Sequence, residues 1–221
     1  MGTITRSFAN NITTSGVLLP ASLTNNSIAN VTAYNAAVAT GGMVLVSSQT
    51  ASASASISFT LGSYKEYQFY FINIRPSVDN SVFQFNLSTD SGSNYNVSKQ
   101  STIFGTRHQE GDDPVYTSLG YDTGRDLANG TGEQSLICTN EIGNGSDENL
   151  CGFMKLFNPS STTYVKHFIA VDSFTVASYA PAEVNCYIAG YANTTSALTN
   201  IRFKMDSGNI TDGTILMYGI V

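Results

Sequence analysis

From Met43 onward, apolar and polar residues alternate in short runs, each closed by Gly, Asn, Asp or Ser. Phe83-Gln-Phe85-Asn-Leu87 is the cleanest case. Side chains two apart share one face of a strand, so this run has an apolar face and a polar one. Tyr67-Gln-Phe-Tyr-Phe-Ile-Asn-Ile74 places apolar groups on both faces, which predicts a central strand covered on each side. Further runs are Met43–Val46, Ala55–Thr60, Thr102–Thr106, Ser135–Thr139, Leu150–Phe157, Thr163–Val171 and Val184–Tyr191, making ten or eleven strands with the closing two. Those two, Ile201–Met205 and Thr214–Tyr218, flank Asp206-Ser-Gly-Asn and Thr211-Asp-Gly, a turn signal that predicts an antiparallel pair ending a sheet. Strands at this spacing predict a sandwich or barrel.

Residues 1–42 lack either periodicity. They are rich in Thr, Asn, Ser and Ala, with short apolar pieces around Phe8 and at Gly16-Val17-Leu18-Leu19-Pro20. A segment of this composition buries too little apolar surface to order itself, which predicts an extended arm that docks on a neighbour through Phe8, Val17, Leu18 and Leu19. The predicted domain plan is this arm followed by a β-sandwich over 43–221, with an acidic loop insertion at 109–149. Within Glu110–Glu148, nine acids face Arg125 alone. Such a stretch reads first as a solvated face that keeps the protein soluble.

Three longer stretches carry a resemblance. They are the ending Leu198–Ile220; Phe157-Asn-Pro-Ser-Ser-Thr-Thr-Tyr-Val-Lys-His-Phe168 with Ala189-Gly-Tyr-Ala-Asn-Thr-Thr-Ser-Ala197; and Thr50–Thr60 with Glu66–Pro76. From about Met43 to the C-terminus the chain resembles small virion proteins of tailed phages, especially phages of marine bacteria. The resemblance implies an antiparallel β-sandwich of jelly-roll type and a virion-structural role, and it supplies no catalytic residues.

Composition narrows the function classes. Charged residues make up 12% of the chain, about half the usual share, and Trp is absent while Tyr and Phe number 12 each. A formal charge of −6 and a pI near 4.7 exclude the basic patch that a nucleic-acid surface needs. No apolar run approaches the roughly 20 residues of a membrane helix, so no membrane partner is expected. Met1-Gly-Thr-Ile-Thr-Arg-Ser7 has no secretory pattern, and the expected history is synthesis in a host cytoplasm followed by residence in the virion.

Cys138, Cys151 and Cys186 are expected as buried free thiols, with a Cys138–Cys151 bridge across a hairpin as the alternative. Asp90-Ser-Gly92, Asp122-Thr-Gly124 and Asp206-Ser-Gly208 resemble the aspartic-protease triplet, although Asp-X-Gly is also ordinary turn chemistry. Gly143-Asn-Gly-Ser-Asp-Glu-Asn149 offers oxygen ligands but lacks the spacing of a calcium loop. His108 and His167 lack the compact His-X-His of a cupin-type metal site. No enzyme and no cofactor is therefore expected. Two functions compete: a capsid decoration protein, and a tail fibre tip that binds a host glycan. The first would bind the major capsid protein or tail proteins and associate with itself as a homotrimer. The second would use the loop tyrosines Tyr95, Tyr116, Tyr121 and Tyr179 to stack on sugar rings.

Overall fold

The structure, a computed structural model, describes residues 42–114, 117–176 and 181–220. The expected arm, with Phe8, Val17, Leu18 and Leu19, lies outside the described residues, as do Tyr116 and Tyr179. Twelve strands follow in chain order: β1 (Met43–Thr50), β2 (Ile57–Thr60), β3 (Glu66–Pro76), β4 (Phe83–Ser88), β5 (Lys99–Gln109), β6 (Ser118–Tyr121), β7 (Gln134–Ser135), β8 (Leu150–Phe157), β9 (Lys166–Val176), β10 (Ala182–Ala192), β11 (Asn200–Met205) and β12 (Ile210–Ile220). There is no α-helix among the described residues, so the all-β reading holds. Two antiparallel sheets form, one ordered β1-β12-β3-β8-β9-β10-β5-β6 and the other β2-β11-β4-β7.

The sheets meet through their inner faces. Phe203 of β11 is the hub, its ring 5.3 Å from Phe69 and 5.2 Å from Phe71 of the large sheet. It also lies 5.9 Å from Phe83 and 6.2 Å from Phe59 within its own sheet. Edge-on and stacked aromatic pairs at these distances add to the gain from burial alone. Along β3 the inward set is Tyr67, Phe69 and Phe71, then Ile74 after a bulge at Asn73, whose φ is 52°. The bulge restores an apolar side chain to the core where strict alternation would have sent it outward.

Four sequence expectations are corrected. The closing strands do not pair: β11 lies between β2 and β4, while β12 lies between β1 and β3. Ile201, Phe203 and Met205 bury against one side of the core and Ile215 and Met217 against the other, so the chain crosses between sheets at Asp206–Asn209. Asp206 stabilises the crossing by accepting the Val82 N–H at 2.8 Å. Second, β3 and β12 are covered on one side only by the described residues, since Tyr70, Ile72, Leu216 and Tyr218 face outward and keep part of their surface. Third, the acidic stretch contributes an unexpected β6 to the large sheet, while the run expected at Ser135–Thr139 shrinks to the two-residue β7 of the small one.

The fourth correction concerns sulfur. Cys138 and Cys186 form a disulfide, and Cys151 is the free, exposed cysteine. Cys151 points outward from β8 while Cys138 is buried, so a Cys138–Cys151 bridge is geometrically closed. The Cys138 sulfur occupies the space that a side chain at Gly105 would take. Gly105 pairs with Cys186, Cys186 with Asp172, and Asp172 with Gly152, giving one row across four strands. Gly152 likewise makes room for the Asp172 carboxyl. Asp172 is fully buried, and neither of its oxygens has a hydrogen-bond partner among the described residues.

Candidate functional site

The outer face of the large sheet is the most distinctive surface. Register across the ladder aligns Leu216, Tyr70, Phe153, Val171, Tyr187, Phe104 and Tyr121 in one row. Seven strands at about 4.8 Å spacing make this apolar row about 29 Å long. Tyr187 and Phe104 stack with centroids 5.2 Å apart and rings 12° from parallel. Tyr70 meets Tyr218 edge-on at 5.7 Å and Phe153 at 6.5 Å. Phe104 and Tyr187 each remain 42% exposed and Tyr121 50%, so the described residues do not cover the row.

Largely polar rows border it. On one side run Gln68, Lys155, Ile169, Ala189 and Thr102, with Lys155 3.4 Å from Glu66. On the other run Ser173, Asn185, Thr106 and Leu119. An aromatic centre inside a polar rim is the anatomy of a protein-binding surface. Two hollows indent the face. One, of about 430 Å³, lies over Gly190 and is lined by His167, Tyr191, Ile169, Gln100 and Thr102. The other, of about 290 Å³, lies among Met43, Tyr70, Ile72, Leu216 and Tyr218. Gly190 is held to glycine by its neighbours, since a Cβ there would strike the Gln100 carbonyl and the buried Phe168 ring.

Of the loop tyrosines expected to face a ligand, Tyr121 ends the aromatic row. Its hydroxyl donates to Asp126 at 2.7 Å, and that bond raises the phenol's pKa above its ordinary value. Tyr95 is elsewhere and half-buried, with the Arg202 guanidinium 4.3 Å from its ring centre. The structure does not bring these two together. Sequence reasoning missed Tyr70, Phe153, Tyr187 and Phe104. Their signal was present as apolar side chains on both parities of a strand, in Tyr67–Ile74 and again in Ile103-Phe104 and Tyr187-Ile188.

The other candidate chemistry resolves into turns. Asp90 accepts the Asn94 N–H at 2.9 Å, and that bond, aided by the Ser88 hydroxyl, lowers its pKa to about 2. Asp122 accepts the Gly124 N–H of its own turn at 2.9 Å and the Thr139 N–H at 2.7 Å, and Asp206 holds the Val82 N–H, so each Asp-X-Gly carboxylate is committed to backbone N–H groups. In the acidic stretch, Glu148 closes a turn by accepting the Gly145 N–H at 2.7 Å, and Arg125 pairs with both Glu141 and Asp122. No group of three metal-ligating side chains occurs among the described residues. His108 pairs across the ladder with Glu183 and lies 3.3 Å from Asp112. His167 pairs with Tyr191, eight residues further along β10, so the imidazoles stand roughly 26 Å apart along the strand.

No protein-family model, curated protein or solved structure matches the chain.

Proposed function

We propose that this chain is a non-enzymatic virion structural protein of a tailed phage, a decoration protein bound to the outside of the head. The observation that carries the reading is the exposed aromatic row of the large sheet. Monomeric proteins seldom leave so long an apolar band open to water, and bands of this kind mark association surfaces. On this reading the row packs against the major capsid protein or a sister subunit of a trimer, with residues 1–42 as the attachment arm. Many copies on a repeating lattice turn weak individual contacts into stable attachment.

Strand order supports a jelly-roll reading of the sandwich. Setting aside β5, β6, β9 and β10 leaves β1-β12-β3-β8 over β2-β11-β4-β7. Numbered in chain order, these sheets read 1-8-3-6 and 2-7-4-5, the double Greek key of a jelly roll. The four remaining strands extend one sheet and carry most of the aromatic row. Jelly rolls serve capsids and lectins alike, so the topology supports the virion reading only as analogy.

The test is a paired Phe104→Ser and Tyr187→Ser substitution. On this reading the variant melts near the wild type but no longer co-sediments with particles that lack the native protein. A variant that attaches normally overturns the docking role of the row. The second reading, a tail fibre tip that binds a host glycan, is favoured by the hollow over Gly190, where Tyr191 and His167 present rings beside Gln100 and Thr102. Copy number on a stained gel of purified particles separates the two, since a lattice requires hundreds of copies and a tail tip a few tens or fewer.

A further inference from the structure

Behind the small sheet, Asn86 and Lys99 are both buried, with exposures of 2% and 0%. The Lys99 Nζ donates to Asn86 Oδ1 at 2.6 Å and to the Val97 carbonyl at 2.8 Å. The carboxamide orientation is fixed on both sides. Its Nδ2 donates to the Tyr95 and Thr131 carbonyls at 2.8 and 3.1 Å, and its Oδ1 also accepts the Leu87 N–H at 2.9 Å. A flipped amide would set its oxygen against two carbonyls. Glu133 stands close enough for its charge to act on Lys99. Arg202 donates to one Glu133 oxygen, while the other, Oε2, is buried without a hydrogen-bond partner among the described residues. Arg202 also lies over the ring of Tyr95, whose carbonyl holds Asn86, so the cluster closes on itself.

We propose that Lys99 and Asn86 join autocatalytically through an amide bond between Nζ and Cγ, with Glu133 carrying the proton. The neutral amine attacks Cγ, one bond from the oxygen it already touches. The carbonyl π pair moves onto Oδ1, where the Leu87 N–H stabilises the developing charge. Glu133 takes the proton from Nζ and delivers it to Nδ2. The Cγ–Nδ2 bond breaks, ammonia leaves and the carbonyl re-forms. Amine plus carboxamide become a secondary amide plus ammonia, so no oxidant or further reactant is needed. Glu133 lies beyond ion-pair distance of Nζ, so Oε2 swings in or one water relays the proton. Burial lowers Lys99 to about 8, which keeps some of the amine neutral near physiological pH and suits a lysine nucleophile. The linkage would close the segment from β4 to β5 into a covalent ring.

Intact-mass spectrometry of the unfolded full chain tests the proposal without reference to the function proposed above. With the disulfide reduced, the expected mass is that of the sequence less one ammonia, and trypsin should fail to cut after Lys99, leaving a branched peptide joined at Asn86. Lys99→Arg should restore the full mass. Glu133→Gln, which keeps the side chain's bulk, should slow or abolish the loss while the protein still melts cooperatively. A full-mass wild type after prolonged incubation at mildly alkaline pH overturns the proposal. So does an ammonia loss that persists in Lys99→Arg, because that signature belongs to Asn cyclising on its own backbone.

Discussion

Asp172 makes the pH dependence of stability calculable in sign and slope. Its neighbours along the ladder are Gly152 and Cys186, neither of which carries charge. Burial without a partner raises its pKa well above the ordinary carboxylate value of 3.8. The folded state therefore holds a proton that the unfolded chain releases. Stability from this group is fully present below pH 3.8, falls as pH climbs from there toward the raised folded-state value, and levels off beyond it. Within that window the slope is about 1.4 kcal/mol per pH unit. Asp172→Asn keeps the shape and removes the titration. Urea unfolding of both proteins at pH values of about 4.5, 5.5 and 6.5 isolates the effect, since every other carboxylate contributes equally to each. The wild type should lose stability relative to the variant as pH rises, by up to about 1.4 kcal/mol per unit while the pH stays below the folded-state value. A difference that stays flat with pH would refute the argument and imply that Asp172 is solvated or paired.

Other outcomes follow from the same packing. Reducing Cys138–Cys186, which are separated by 48 residues, should cost about 4 kcal/mol by loop-closure entropy, and the melting temperature of the fully reduced protein reads it. Gly190→Ala should destabilise by about 1–3 kcal/mol, because the Gln100 carbonyl is backbone and cannot yield; thermal melts check this. A chain ending at Gly213 loses buried Ile215 and Met217, at about 1.5–3 kcal/mol each. It also leaves β1 without its neighbour and β3 unpaired on one edge. That chain should show no cooperative unfolding by circular dichroism.

The strands were largely legible because their inner faces alternate strictly, as in Phe83-Gln-Phe85. Which strands pair was not. The closing two share turn chemistry with hairpins, yet each has an apolar inner parity, and two such faces are satisfied equally by opposing each other across a core. β6 was missed because Ser118-Leu-Gly-Tyr121 is short and set among acids, so nothing local distinguishes it from loop. The aromatic face was half legible. Apolar groups on both parities of β3 were visible, but sequence alone cannot separate a strand covered twice from one that leaves a face open. The Lys99–Asn86–Glu133 cluster was invisible, since none of its members is unusual until burial isolates them together. The disulfide was hidden likewise, because Gly105 makes room for it from a strand distant in sequence.

Cys138 follows β7 on the segment whose Leu136 N–H binds the Phe83 carbonyl of the small sheet, while Cys186 lies in mid-strand in the large one. The disulfide is thus a rivet through the sandwich, from the segment after β7 to the middle of β10. A load on the aromatic face that drives one sheet to slide over the other meets a covalent stop there, added to the apolar packing and to the buried Lys99–Asn86 contact between β5 and β4. Reduced, the layers lose this tie and would slide more readily; oxidised, they are held at this point.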